Sequence, residues 1–148
     1  VRLGLRSGSP KLSEAEETGI PVLPPGEATR DADVVMLLAP DEHLPAIYRQ
    51  LEPGIRRDAA LGFSHGLAVH FRQLEPGIRR GAALGFSHGL AVHFRQLEPR
   101  ADLDVFMVAP KGPGTALRSL YQQGKGMVAL AAVAQDVSGL AWPIALAY

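Results

Sequence analysis

A lysine on a glycine-rich turn is the first feature of this sequence that could do chemistry. Lys111 follows the apolar run Asp104–Pro110, DVFMVAP, and precedes Gly112-Pro113-Gly114. Such a run, with β-branched and aromatic residues and a final proline, is typical of a strand buried in a parallel sheet. Open α/β sheets bind ligands at the carboxyl ends of these strands, where glycine lets a ligand approach the backbone. We therefore expect Lys111 to act on a substrate or cofactor; the alternative is an ordinary surface lysine.

Histidines close to predicted strand ends form a second candidate group. His88 follows the predicted strand Ala83–Ser87, so its imidazole could orient or protonate a substrate oxygen. His65 is its counterpart in a repeated segment described below. His70 and His93 each lie five residues further on, whereas a two-histidine metal site on a helix uses a spacing of four. We expect no zinc site here.

The segment after the first predicted strand could select a nucleotide cofactor. Arg6, Ser9 and Lys11 supply positive charge and hydrogen-bond donors, and no carboxylate appears before Glu14. At this position of a dinucleotide fold an acidic residue binds the ribose hydroxyl of NAD, whereas arginine binds the 2′-phosphate of NADP. The segment predicts NADP; a basic surface turn is the alternative.

A further turn follows the predicted strand Asp33–Leu38. It contains Asp41, Glu42, His43 and Leu44, and its backbone amides at a helix start could face the cofactor. For the side chains, ordinary helix capping by Asp41 is the simpler interpretation.

Strands and helices alternate along the chain, which predicts how these groups are positioned. Apolar residues at helical spacing predict helices over Glu42–Leu51 and Thr115–Gln123. The second would face inward through Leu117, Leu120 and Tyr121. Strands separated by helices form a parallel sheet with right-handed crossovers, so the predicted fold class is α/β, Rossmann-like and mainly parallel, with flanking helices. The predicted strands are Val1–Leu5, Ile20–Leu23, Asp33–Leu38, Ala83–Ser87, Asp104–Pro110 and Val128–Val133.

One segment occurs twice in tandem. Residues Arg49–Pro76 and Arg72–Pro99 are identical except that Asp58 corresponds to Gly81, so the period is 23 residues. Near-identity of this degree indicates a recent duplication of units 49–71 and 72–94 rather than a solenoid, which needs three or more repeats. Either one copy bulges from the domain or the extra unit adds a strand and a helix. We favour the extra strand and helix, because a bulge would expose an apolar, strand-prone segment.

Composition limits the classes of protein. The chain has 148 residues, enough for one domain, and its 15 Lys and Arg balance 15 Asp and Glu. We therefore expect neither nucleic acid nor an anionic membrane as a partner. The absence of cysteine, the lack of a long apolar span and the lack of a signal-peptide pattern are consistent with a cytoplasmic protein.

Taken in order, several segments resemble one known family. GLRSGS, ADVVMLLAPDE, AALGFSHGLAVHF and DLDVFMVAPKGPG, followed by LRSLYQQGKGMVALAAVAQDVSG and ALAY, are similar to the N-terminal NADPH-binding domain of ketol-acid reductoisomerase. The resemblance covers nearly the whole chain. It implies an enzyme of valine and isoleucine biosynthesis that isomerises an acetohydroxy acid by Mg²⁺-assisted alkyl migration and reduces the product with NADPH.

The resemblance also assigns roles to residues. Arg6 and Ser9 would bind the 2′-phosphate, Lys11 replaces a serine of the family, and the turn Asp41–Leu44 would contact the cofactor. His88 or His65 would be the catalytic histidine, and His88 has the family spacing to Lys111. Lys111 would assist the substrate oxygens, and Gly114 would line the nicotinamide site.

The chain also departs from the family. The first strand–helix unit with its glycine-rich loop is expected before Val1, and a helical domain with the Mg²⁺ ligands is expected after Tyr148. The domain is therefore expected to be partial over residues 1–148, with an incomplete amino-terminal side, and the chain alone to be inactive and to bind NADPH weakly. The full-length form is expected to be a homo-oligomer. Two alternatives stay open: a non-catalytic relic of a dinucleotide-binding domain, and another NADP-dependent dehydrogenase domain.

Overall fold

The computed structural model describes residues 1–64 and 75–148, with the backbone alone at residues 41 and 75, and has two β-sheets in that part of the chain. In the smaller sheet, β1 (Leu3–Gly4) and β2 (Val22–Leu23) are parallel. The larger sheet has the strand order β3-β4-β5-β6-β7. Its strands are β3 (Val34–Leu37), β4 (Ala60–Phe63), β5 (Ala83–Phe86), β6 (Asp104–Pro110) and β7 (Ala129–Gln135).

The fold class is α/β with a mainly parallel sheet, as the sequence predicts. Strands β3 to β6 run parallel, but β7 is antiparallel to β6. The rule that strands separated by a helix are parallel is therefore wrong for β7. The reason is local: the backbone N–H of Lys111 donates to the carbonyl of Val128 at 2.9 Å, so the chain re-enters the sheet beside the end of β6 and runs back along it.

The helices of the described residues are short. The predicted helix Glu42–Leu51 is divided into a 3₁₀ turn, Asp41–His43, and a regular helix that begins at Leu44, where Pro45 fits the first turn. None of these helices is long and apolar enough to cross a bilayer. The helices are α1 (Leu12–Glu16), α2 (Pro25–Ala28), α3 (Leu44–Leu51), α4 (Leu90–His93), α5 (Gly114–Gln122) and α6 (Ala141–Ala147).

Both copies of the repeat contribute a strand to the larger sheet. Ala60–Phe63 of the first copy forms β4, and Ala83–Phe86 of the second forms β5. They lie side by side and in parallel, with Phe63 opposite Phe86. The strand of the extra unit favoured from the sequence is therefore present, and the predicted helix that would follow it lies outside the described residues. The segment that follows β4 includes His65 and His70, which lie outside the described residues.

The main core lies on one face of the larger sheet. Leu61 and Phe63 of β4 and Leu84 and Phe86 of β5 point to this face, and the two phenyl rings stack with centroids 5.9 Å apart. Helix α3 covers the face through side chains at helical spacing, since its buried residues are Leu44, Pro45, Tyr48 and Leu51. Burial of these apolar surfaces is the main force that holds both copies in the sheet.

The opposite face of the sheet has smaller side chains and a second core. Ala60, Ala83 and Phe106 are buried there against Ala145 of α6. Glycine occurs on this face in both repeat strands. The side chain of Met36 lies over Gly62, and the ring of Phe106 lies over Gly85.

Helix α5 does not pack as the sequence predicts. None of its residues is buried, Leu117 is exposed, and Tyr121 is 70% exposed. The prediction that these residues face inward is therefore wrong for Leu117 and Tyr121, whereas Leu120 is half-buried. The apolar periodicity is present, but the part of the protein that the structure describes offers no surface for this face.

Candidate functional site

The turns after β5 and β6 bring two of the predicted site residues to one edge of the sheet. Strands β5 and β6 are neighbours and parallel, with Phe86 opposite Met107. His88 lies two residues beyond Phe86, and Lys111 follows the end of β6. Because carboxyl ends of parallel strands meet at one edge, His88 and Lys111 belong to the same edge. This is the edge at which the sequence predicts chemistry.

His88 is exposed, and its ring is oriented by the following backbone. Its Nδ1 accepts a hydrogen bond from the backbone N–H of Leu90 at 3.3 Å, at the start of α4. An Nδ1 that accepts must be unprotonated, which leaves Nε2 to carry the proton of a neutral ring. The contact with the start of α4 therefore orients the imidazole at this edge of the sheet. His93, at the end of α4, instead lies edge-on against Phe94, with ring centroids 4.8 Å apart.

Lys111 is exposed on a loop whose shape depends on close contacts. A side chain at Gly112 would collide with Met127, whose Cε lies 2.7 Å from the position that a Cβ would take. Pro113 is extended and precedes Gly114, which is the first residue of α5. The space around Gly114 is open, since a Cβ added there would meet nothing within 4 Å in the described part of the chain. A ligand could therefore approach the backbone at Gly114 closely.

The predicted cofactor-selecting segment forms a compact turn after β1. The backbone N–H of Ser9 donates to the carbonyl of Arg6 at 3.1 Å, and the Ser9 hydroxyl accepts from the backbone N–H of Lys11 at 3.3 Å. The Arg6 side chain is exposed. Lys11 differs from the expectation, because its Nζ forms an ion pair with Glu14 at 2.7 Å. This contact raises the pKa of Lys11, first through the hydrogen bond and then through the opposite charge.

The turn after β3 leads directly into α3. Glu42 and His43 are exposed, and the side chain of Leu44 is buried in the main core. The backbone N–H of His43 donates to the carbonyl of Pro40 at 2.9 Å. Leu44 can therefore contribute only its backbone to a ligand site, as the sequence-based interpretation of this turn requires. The structure gives only the backbone of Asp41.

The predicted residues divide into groups that the fold holds apart. Arg6, Ser9 and Lys11 follow a strand of the smaller sheet, whereas His88 and Lys111 follow strands of the larger one. The turn Asp41–Leu44 belongs to β3, which is separated from β5 by β4. His65 lies outside the described residues. The described structure thus places His88 and Lys111 at the same edge of the larger sheet, whereas the turn that contains Arg6 follows a strand of the smaller sheet.

A buried carboxylate at the opposite end of β6 from the site was not identified from the sequence. Asp104, at the start of β6, is 2% exposed and accepts hydrogen bonds from the backbone N–H groups of Val137 and Ser138 at 2.6 and 3.0 Å. It also accepts from the Ser138 hydroxyl. Burial by itself raises the pKa of Asp104, but these donors outweigh it, so the pKa lies below its ordinary value. Asp104 lies at the amino end of β6, so its role is to fix the segment between β7 and α6. A carboxylate before an apolar strand was the only sequence signal.

Metal ligands are not grouped in the described part of the chain. Among the side chains that the structure describes, which exclude those of residues 41 and 65–75, no three of His, Asp or Glu lie together as a metal site would require. The described residues therefore do not fit a Mg²⁺ ion.

Comparison with protein families identifies a match in two overlapping segments. The model of the acetohydroxy acid isomeroreductase NADPH-binding domain matches residues 1–77 and again residues 72–148. The first match contains β4 and the second contains β5. Each match thus includes one copy of the repeat.

Solved structures give the same family and fold. The chain is similar to an NADH-preferring ketol-acid reductoisomerase from an uncultured archaeon, with 38% identity and a TM-score of 0.61. The similarity covers 99% of this chain and 39% of that one. A semialdehyde dehydrogenase NAD-binding protein from Cupriavidus necator, in complex with calcium and NAD, has 20% identity and a TM-score of 0.51. This similarity covers 96% of this chain and 46% of that one, and it supports the fold alone.

Proposed function

Because the chain belongs to the acetohydroxy acid isomeroreductase family and carries its NADPH-binding domain, we propose that it binds NADPH and forms the nucleotide-binding part of a ketol-acid reductoisomerase. The whole enzyme would convert 2-acetolactate-type substrates into 2,3-dihydroxy acids by alkyl migration and reduction. The chain spans 39% of the length of the reductoisomerase that it resembles. Its own contribution would therefore be cofactor binding and part of the catalytic edge.

One observation carries this proposal. The turns that hold His88 and Lys111 follow adjacent parallel strands, β5 and β6, within the segment 72–148 that the family model matches. A dinucleotide fold binds its ligand outside the carboxyl ends of such strands. A histidine and a lysine at this edge are suitable groups for a substrate with carbonyl and hydroxyl oxygens.

The two side chains would have different roles. The ammonium group of Lys111 carries three donors and would stabilise negative charge on a substrate oxygen. The Nε2–H of His88, fixed by the Leu90 contact at Nδ1, would donate to a second oxygen or hold a proton there. NADPH supplies the hydride when it is bound. Because the described residues hold no cluster for Mg²⁺, no step of the alkyl migration is assigned to this chain.

The turn that contains Arg6, Ser9 and Lys11 would determine the choice of cofactor. Arg6 is exposed and free of any acidic neighbour in its own turn until Glu14, which is engaged by Lys11. A 2′-phosphate would bind Arg6 and the Ser9 hydroxyl through charge-assisted hydrogen bonds. We therefore propose a preference for NADPH, in contrast to the NADH preference of the archaeal relative.

The test is a titration of the chain with NADPH and with NADH. Arg6→Ala should weaken NADPH binding about 10-fold or more, which corresponds to one charge-assisted contact of about 1.5 kcal/mol, and should leave NADH unchanged. Arg57→Ala, which removes an exposed arginine elsewhere, is the matched control. Equal binding of both cofactors by the unmodified chain would contradict the proposed NADP preference.

The catalytic assignment needs the full-length protein. With 2-acetolactate, NADPH and Mg²⁺, His88→Ala should lower turnover by about 100-fold or more, the usual contribution of an acid–base group. His65→Ala should have little effect. A larger loss with His65→Ala would transfer the role to the first copy, and turnover by the isolated chain at the rate of an ordinary enzyme would refute its expected inactivity.

A further inference from the structure

The first copy of the repeat separates the two sides of the proposed site. Strands β3, β4, β5 and β6 are in register, with Leu37, Phe63, Phe86 and Met107 at one level. The turn proposed to contact the cofactor follows β3, whereas His88 and Lys111 follow β5 and β6. One complete strand, β4, therefore lies between β3, which the cofactor turn follows, and β5, which His88 follows.

A single copy could make all the pairings that the two copies make now. Strands β4 and β5 have the same sequence, Ala-Leu-Gly-Phe. Leu37 pairs with the Phe of the first copy, and Met107 pairs with the Phe of the second. If one strand replaced both, Leu37 and Met107 would pair with the same Phe, and no register would change. The extra copy thus widens the sheet without shifting its strands along one another.

The widening is large on the scale of catalysis. Neighbouring strands lie about 4.8 Å apart, so the extra strand adds about 4.8 Å between the β3 turn and the His88 edge. Reacting atoms must approach to about 3–3.5 Å, and a misplacement of about 1 Å can cost 100-fold in rate. A loop movement that recovers the whole distance would have to shift α3, whose Leu44 and Tyr48 are buried in the core.

We infer that the repeat uncouples the two ends of the bound cofactor: in the predominant complex the phosphate-bearing adenosine half is held on the β1 and β3 side, and the nicotinamide lies away from the His88–Lys111 edge. This inference rests on the proposed function. It makes the first copy a spacer within the site and the repeat itself a feature that slows hydride transfer without abolishing it. Removing either copy restores the shorter distance.

The test compares two ligands, NADPH and 2′,5′-ADP, which lacks the nicotinamide half. In the intact chain the two dissociation constants should agree within about 2-fold, because the missing half makes no contact. In deletions of residues 49–71 or 72–94, NADPH should bind about 10-fold tighter than 2′,5′-ADP, a gain of about 1.4 kcal/mol. The two deletions are matched controls, since their products differ only by Asp58 against Gly81.

A second measurement does not depend on whether the deletions fold. In saturation-transfer NMR of NADPH with the intact chain, adenine protons should receive magnetisation from the protein and nicotinamide protons should not. Strong transfer to nicotinamide, or NADPH binding at least about 10-fold tighter than 2′,5′-ADP in the intact chain, would overturn the inference while leaving NADP binding in place. Equal dissociation constants in well-folded deletions would also overturn it. Failure of 2′,5′-ADP to bind any of the three chains would refute the proposed cofactor site itself.

Discussion

Strands β4 and β5 have one sequence in two positions of the same sheet. Leu61 and Phe63 of the first are as deeply buried as Leu84 and Phe86 of the second. Their outer neighbours differ, because β4 pairs with β3 and β5 pairs with β6. The comparison shows that one strand sequence directs the same side chains to the same face of the sheet at both positions, while different residues of the neighbouring strands lie against them.

The largest expected effect tests whether both copies belong to the core. Phe63→Ala and Phe86→Ala should each lower the free energy of unfolding by about 3–5 kcal/mol, the usual cost of removing a buried phenyl ring. Chemical denaturation measures both. Because the rings stack at 5.9 Å, the double variant should show a coupling of about 0.5–1.5 kcal/mol. A negligible effect of Phe63→Ala would mean that the first copy lies outside the sheet.

Substitution of the glycine in each repeat strand should have the next largest effect on stability, and the effect should differ between the copies. In Gly85→Ala the new Cβ would lie 2.6 Å from the buried ring of Phe106, which is rigid. We expect the free energy of unfolding to fall by about 1–3 kcal/mol, which is typical of an overpacked core. In Gly62→Ala the colliding atom is the sulfur of Met36, at the flexible end of a partly exposed side chain. In that variant the free energy of unfolding should fall by less than about 1 kcal/mol, because a methionine side chain adapts to its surroundings. Equal losses by thermal denaturation would contradict the difference in neighbours.

Two aspartates lie at the amino ends of the strands on either side of the repeat strands. Their substitution should give a smaller difference in stability, and this difference should depend on pH. Asp104 at the start of β6 is buried with a lowered pKa, whereas Asp33 before β3 is exposed. A lowered folded pKa gives stability that is complete above the unfolded pKa of about 3.9 and is lost as the pH falls through the folded value. Asp104→Asn should therefore cost about 1–2 kcal/mol at neutral pH and progressively less in acid.

Denaturation curves at several pH values check this prediction. Asp33→Asn is the control, and its cost should stay within about 0.5 kcal/mol at every pH because its ion pair with Arg56 is exposed. A cost of Asp104→Asn that does not change with pH would mean that Asp104 is not a stabilising carboxylate.

The smallest expected difference is between Arg56 and Arg79, which occupy equivalent positions in the two copies. Arg79 donates to the backbone carbonyls of Ile55 and Glu52, and so joins the second copy to the first. Arg56 instead pairs with Asp33 and Asp58 at the surface, and Gly81 replaces Asp58 in the second copy. Arg79→Ala should cost about 1 kcal/mol by loss of hydrogen bonds to a charged group, and Arg56→Ala about half of that or less. The reverse order in urea denaturation would contradict these assignments.

Much of the sheet could be predicted from the sequence. Strand β6 has the predicted bounds, Asp104–Pro110, because an apolar run between polar residues and a proline marks a buried strand clearly. The edge that joins His88 and Lys111 followed from the same reasoning. Beyond these strands, local pattern was insufficient. The pentapeptide RQLEP begins inside α3 at Arg49, but at Arg95 the backbone has a φ of +54° and no helix.

The missed features depend on partners distant in sequence. The exposure of α5 could not be predicted, because amphipathic spacing identifies an apolar face but not the surface that covers it. The buried state of Asp104 depends on Ser138 and Val137, more than 30 residues away. The separation of β1 and β2 into their own sheet is likewise a property of pairing rather than of either strand.

Disulfide trapping tests most directly whether the first copy lies between β3 and the second copy. The chain has no cysteine, so engineered pairs are unambiguous. Val34 lies opposite Ala60, at about 4.8 Å between neighbouring strands, whereas Ala83 is two strands away from Val34, at about 9.6 Å. A disulfide needs Cα atoms within about 7 Å. We predict that Val34→Cys with Ala60→Cys forms a bond on mild oxidation and that Val34→Cys with Ala83→Cys does not. A bond in the second pair but not in the first, found by peptide mass spectrometry, would contradict the account.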